Sequence, residues 1–344
     1  MKSQHQIRFK RKRKSRKVLN NKAVEHLHES LDVVNNKVIV GERELKLARA
    51  LSDTERRVRE ASLTSLQSWL SANKGELQAR ELDRLWKALF YCIWMADRPR
   101  VITSTIQHVI ELTDVAGWPF LSSSFGCLMR EWFGIDRHRV DKYYELANAA
   151  LAKSIEIVLE QKTNESFTEN MDAMLEMLQT QVWDRAHKEG QGFTLHVLDM
   201  YIDKILQPLL QRGKCCPGND VHKVFDKALK APIQIMSTPQ KYSLALIKRI
   251  TERILGRLVD FVKSESVDLK PKFQRDMLAR ASKHVMSFAA NKATPDSLRK
   301  SLYDIRKQMK GEVSDYDEQK KQKGNGLTDA DAEGSATIKE SHEG

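Results

Sequence analysis

The chain has 344 residues, 41% of them apolar, enough for an extensive core, and a formal net charge of +12. Its four cysteines, Cys92, Cys127, Cys215 and Cys216, form no CxxC pair and have no histidines at zinc-ligand spacing, so neither a disulfide framework nor a structural zinc is indicated. The longest nearly unbroken apolar run, Ala88 to Ala96, is about half of what a bilayer-spanning helix needs, and no apolar stretch backs the basic N-terminus; the expectation is a soluble protein of a reducing, intracellular compartment.

In chain order the first feature is charge. Residues 1–22 hold ten Lys or Arg and no acid, residues 23–310 carry +7, and from Gly311 onward nine acids face four lysines. This reads as a basic arm (1–43), a folded body and an acidic tail (311–344), with both ends expected to be disordered. Within the arm, Arg8, Lys10, Arg11, Lys12, Arg13, Lys14, Arg16 and Lys17 fit two compatible uses. One is a signal for a nuclear import receptor; the other is an anchor that neutralises nucleic-acid phosphates and releases their counterions.

The body opens near Glu44. Ser52-Asp53-Thr54-Glu55 has the pattern of a capping box, predicting a helix with Val58, Ala61, Leu66, Trp69 and Leu70 inward. The next helix, about Ala79 to Met95, is apolar almost all round in its second half and should be buried on several sides. Pro99 stops it, and a further helix carries Val101, Ile102, Ile106, Val109, Ile110 and Leu112.

The stretch Trp118 to Tyr144 is the richest in aromatics. Phe125, Leu128, Met129 and Trp132 lie at helical spacing; Gly134 is expected to close that helix in the left-handed conformation, and Asp136 to cap the next, with Val140, Tyr143 or Tyr144, Ala147, Ala150 and Leu151 inward. The corner also holds the chain's one concentrated polar cluster: Arg130, Glu131, Asp136, Arg137, His138, Arg139, Asp141 and Lys142. A metal-dependent nuclease would take Glu131, Asp136 and Asp141 as ligands and His138 as base. However, Asp141 stands four residues after Arg137, Asp136 is needed as a cap, and each acid has a basic neighbour. Capping and ion pairing are the preferred reading, and no catalytic residue, metal or cofactor is expected; Arg130, Arg137, Arg139 and Lys142 are left as outward-facing partner-docking candidates.

Beyond the corner, Met171, Met174, Leu175, Leu178 and Val182 make a core stripe, and Leu195, Leu198, Ile202, Ile205 and Leu206 another. Gln211 to Asp220, with Gly213, Pro217 and Gly218, is the best internal boundary, dividing the body into 44–212 and 213–310. Helices follow near Val221 to Leu229, Tyr242 to Val262 and Lys272 to Ala289, and a last one starts at Thr294-Pro295 with Thr as cap. About ten helices without strands predict an all-α protein. Their number favours a curved α-solenoid of HEAT-like hairpins, although no clean repeat period emerges.

Three segments, ELDRLWKALFYCIWMADRP (Glu81 to Pro99), MREWFGIDRHRVDKYYEL (Met129 to Leu146) and FTLHVLDMYIDKIL (Phe193 to Leu206), closely resemble signature blocks of the ribosomal RNA-processing protein 1 family, the nucleolar Nop-fifty-two type. The resemblance covers roughly Leu45 to Leu210. It places Trp86, Tyr91, Trp94 and Asp97 in the first block, and Trp132, Gly134, Asp136 and Asp141 in the second, as motif positions. It implies a non-catalytic helical protein of the nucleolus that joins precursors of the large ribosomal subunit and supports pre-rRNA processing, with pre-rRNA and assembly factors as partners. Animal members have a long basic tail where this chain has a short acidic one, which moves the expected phosphate contact to the N-terminal arm. An alternative reading is a HEAT-like nuclear adaptor that binds proteins without RNA.

Overall fold

The computed structural model describes residues 42–72, 77–215, 221–237, 241–264 and 270–333. The basic run Arg8 to Lys17 lies outside them. All regular structure among the described residues is helical: α1 Glu42–Leu51, α2 Arg56–Ala72, α3 Ala79–Trp94, α4 Pro99–Glu111, α5 Thr113–Glu131, α6 Val140–Leu159, α7 Asn164–Leu178, α8 Gln191–Met200, α9 Gln207–Cys215, α10 Val221–Ser237, α11 Leu244–Ile250, α12 Gly256–Lys263, α13 Pro271–Ala289 and α14 Asp296–Glu333. None is long and apolar enough to cross a membrane.

Packing divides the chain into two units, Met1–Val197 and Leu198–Gly344. In the first, helices meet both the next helix and the next but one: α1 touches α2 and α3, α3 touches α4 and α5, and α4 touches α5 and α6. That is the contact pattern of stacked helical hairpins, the all-α class expected from the sequence. In the second, α10 packs on α9, α11 and α13, and α12 on α13 and α14. The Gly-Pro-rich stretch near Gly213 to Gly218 falls inside this second unit.

The apolar pattern explains which faces are inside. α3 buries Leu82, Trp86, Ala88, Leu89, Phe90, Cys92 and Ile93, more than one face, as its pattern predicts. Met171, Met174 and Leu178 are core. The first body helix is turned differently from the expectation: Leu63, Leu66 and Leu70 line the core, while Val58 (39%) and Trp69 (46%) are among the exposed large side chains.

Several local readings are corrected. Ser52 does not open α2; its hydroxyl donates to Ala48 O (2.9 Å) at the end of α1, while Asp53 Oδ1 accepts from Glu55 N and Arg59 Nη1 donates to Asp53 O and Thr54 O. Pro99 is the first residue of α4, where its missing N–H costs nothing, and so opens a helix as much as it ends one. Thr294 donates to Phe288 O at the end of α13 and does not cap α14. Two π-helical turns, Tyr201–Leu206 and Thr251–Leu255, interrupt otherwise continuous helices, and a third, Gln179–Trp183, ends α7. The final helix, Asp296–Glu333, is held down through Met309, which is buried, and through Glu312, paired with Lys263.

Candidate functional site

The first two signature blocks, α3 and the α5–α6 corner, fold onto one another. Trp86 Nε1–H on α3 donates to Phe120 O on α5 (2.6 Å), and Tyr143 OH on α6 donates to Phe90 O (3.0 Å) while its ring stacks on that of Phe90 at 4.3 Å. Lys87 pairs with Glu131 (2.6 Å) and Arg130 with Asp83 (3.1 Å). Lys142 Nζ donates to Trp94 O (2.7 Å) and Ala96 O (2.9 Å), carbonyls that α3 leaves unpaired at its C-terminal end. Arg139 is ion-paired with Asp136 and lies over the Trp94 ring, 4.6 Å from its centroid.

The third block seals the other side of the corner. Trp132 packs on Phe193 (5.3 Å) and Tyr144 (5.4 Å), and Tyr144 on His196 (4.3 Å). Gly192 is glycine because a Cβ there would run into the Trp132 indole nitrogen. The left-handed backbone expected at Gly134 is found instead at Gly117 (φ 73°), which kinks α5, and at Gly190 (φ 59°) against Met129. Gly134 ends a 3-10 turn, Trp132–Gly134, with open space where a Cβ would be.

Electrostatics follow from burial. Desolvation pushes the Cys92 and Cys127 thiols up to about 12, leaving them neutral and inert. Tyr91 rises to about 12, through burial first and then the Glu131 carboxylate. Lys142, 7% exposed, is lowered to about 8 by burial, against the partial opposition of Asp97. Asp136 resists the upward push of desolvation; hydrogen bonds from Arg139 and the His138 amide hold it below the ordinary range.

The expected ionic network exists with different members. Glu131 is held by Lys87, and Asp136 closes the turn by accepting from His138 N (2.9 Å) and Arg139. The Arg137–Asp141 pair does not form: Arg137 Nε lies 3.4 Å from His138 Nε2, and Asp141 is exposed. Among the described residues no group of His, Cys, Asp and Glu is placed to hold a metal ion. Of the four docking candidates, Lys142 is corrected to a buried clasp, and Arg130 and Arg139 are engaged within the corner. Arg137 faces solvent. In the same corner stands Phe133, 99% exposed, which the pattern reading missed. The signal was available, since Phe133 falls one position off the Phe125-Leu128-Met129-Trp132 stripe.

Comparison with known proteins extends the motif evidence. The family model described as "Nucleolar protein, Nop52" matches residues 42–342, continuing well past Leu210, where the motif resemblance stops. Ribosomal RNA processing protein 1 homolog B of Mus musculus is 29% identical over 172 residues, 47% of this chain and 23% of the relative. Homolog A of the same species is 30% identical over 171 residues, 47% of this chain and 34% of the relative. The Dictyostelium discoideum homolog is 24% identical over 300 residues, 78% of this chain and 58% of the relative. The chain thus spans less than two thirds of the length of these curated relatives. With its signature blocks locked together in one corner and the family model matched across both units, the chain belongs to the Nop52 family and is a nucleolar protein.

Proposed function

We propose that this chain acts in ribosomal RNA processing as a non-catalytic helical scaffold on precursors of the large ribosomal subunit, and that the α5–α6 corner is where an assembly-factor protein docks. The observation that carries the docking site is Phe133. A phenyl ring held 99% exposed on a turn whose neighbours are fixed by ion pairs, stacking and a buried lysine is pre-organised to enter a partner's pocket. Arg137, exposed in the same corner, supplies charge for orientation. The rRNA-processing names of the relatives support the wider reading, and the N-terminal basic run supplies an import signal for the nucleus.

Burying a Phe side chain contributes about 1.5–3 kcal/mol. Phe133→Ala combined with Arg137→Glu is therefore expected to weaken association with large-subunit precursors by roughly 10- to 100-fold, read by sedimentation of cell extracts, with circular dichroism unchanged. Normal co-sedimentation of the double variant would remove the corner from the docking surface. A wild-type protein that never sediments with precursors would instead favour the adaptor reading.

A further inference from the structure

The positive charge of the folded body belongs to its second unit. Residues 42–197 contain 20 Lys and Arg against 23 Asp and Glu, whereas residues 198–310 contain 23 against 11, a net +12. Helices α10 and α13, which pack against each other, concentrate it: seven Lys or Arg against two Asp, of which Asp226 is paired with Arg280 and Asp276 lies 3.8 Å from His222. Between the two helices lies an open groove of about 600 Å³, lined by Asp226, Lys230, Ile233, Gln234, Arg280 and His284.

Lys223, Lys227 and Lys230 follow one face of α10 over about 10 Å at the helical rise, and Lys283 stands exposed on the opposite helix. Lys223, Lys230 and Lys283 have no acidic partner among the described residues. Ile233 is the groove's one apolar lining residue. A protein-docking surface is built the other way, around an apolar or aromatic centre depleted in lysine.

We infer that the α10–α13 groove binds the phosphate backbone of RNA, without reading its sequence. The choice of RNA as the polyanion rests on the rRNA-processing reading above; the groove itself rests on charge and geometry. Phosphates supply the counter-charge that Lys223, Lys230 and Lys283 lack, and release of condensed counterions drives the association. The site is separate from the N-terminal basic arm, to which the sequence alone pointed.

The test uses the full chain and a fluorescein-labelled single-stranded RNA of about 20 nucleotides, titrated by anisotropy across a range of salt. Lys223→Glu, Lys230→Glu and Lys283→Glu together are expected to weaken binding roughly tenfold or more near physiological salt and to flatten the log–log salt slope by about 2, at about 0.7 per lost contact. The corresponding triple Lys→Arg variant keeps wild-type binding. Ultraviolet crosslinking of the unmodified protein to the same RNA, followed by peptide mass spectrometry, is expected to mark residues 221–237 or 271–289. An unchanged slope in the Glu variant, or crosslinks confined to residues 1–22, would overturn the inference. So would a glutamate-rich peptide of equal charge binding as tightly as the RNA. Precursor association, read by sedimentation, tests the rRNA-processing reading separately: its failure with groove-dependent RNA binding intact would retire that reading and leave the site.

Discussion

Lys142 shows how one side chain changes meaning once its surroundings are known. In the sequence it closes a run of polar residues and reads as exposed, yet it shares a four-residue spacing with Leu146 and Ala150, both buried. Its stem follows that stripe inward, and its ammonium is spent on Trp94 O and Ala96 O. Because burial lowers its pKa to about 8 from 10.5, the unfolded chain holds a proton in that interval that the folded chain has lost, so its contribution to stability rises with pH there. Cys92 and Cys127 act oppositely: with thiols raised from 9.0 to about 12, their contribution is complete below pH 9 and lost above it. The melting temperature is thus expected to peak near pH 9, and Lys142→Met to abolish the rise from pH 8, as followed by thermal circular dichroism. Gly192→Ala drives a methyl into the Trp132 indole and is expected to cost about 1–3 kcal/mol in urea unfolding. Gly134→Ala, facing open space, should cost no more than a few tenths on the same measure.

At the scale of elements, most of the helical pattern was legible in the sequence because apolar residues recur at three and four. The α3 pattern, apolar on nearly every side, correctly announced a helix enclosed by neighbours. Cap signals were less dependable. The Ser-x-x-Glu pattern at Ser52 lost to a competing bond from the same hydroxyl to the preceding helix, while Glu81, at a site not singled out, accepts from Gln78 N (2.7 Å). The π-turns left no trace, because a one-residue widening does not change which residues are apolar. The joint between α3 and α5 has its own test. Trp86→Phe keeps an aromatic ring and removes the donor to Phe120 O, a hydrogen bond whose loss is expected to cost about 0.5–1.5 kcal/mol, read as a lower denaturation midpoint with unchanged slope.

For the whole molecule, the sequence pointed to the family and the fold class, and it left the distribution of work between the units hidden. A net +7 over residues 23–310 sums −5 over residues 23–197 with +12 over residues 198–310, and the dividing line at Val197 falls within a helix, where no glycine or proline break marks it. Charge assigned to the N-terminal arm therefore looked like all the charge that mattered. The arm keeps a test of its own as an import signal. A fluorescent fusion lacking residues 1–22 is expected to accumulate in the cytoplasm, and normal nucleolar accumulation would show that another segment directs entry.

The joints of the first unit also set a timetable for its synthesis. Phe90 cannot stack on Tyr143, nor its carbonyl receive the tyrosine hydroxyl, until 53 further residues have been added. At about 5–20 residues per second that interval lasts about 3–10 s, during which the apolar flank of α3 is unsealed and open to self-association. A nascent chain stalled between residues 95 and 140 should therefore be a strong client of hydrophobic-binding chaperones and lose that affinity once α6 has emerged.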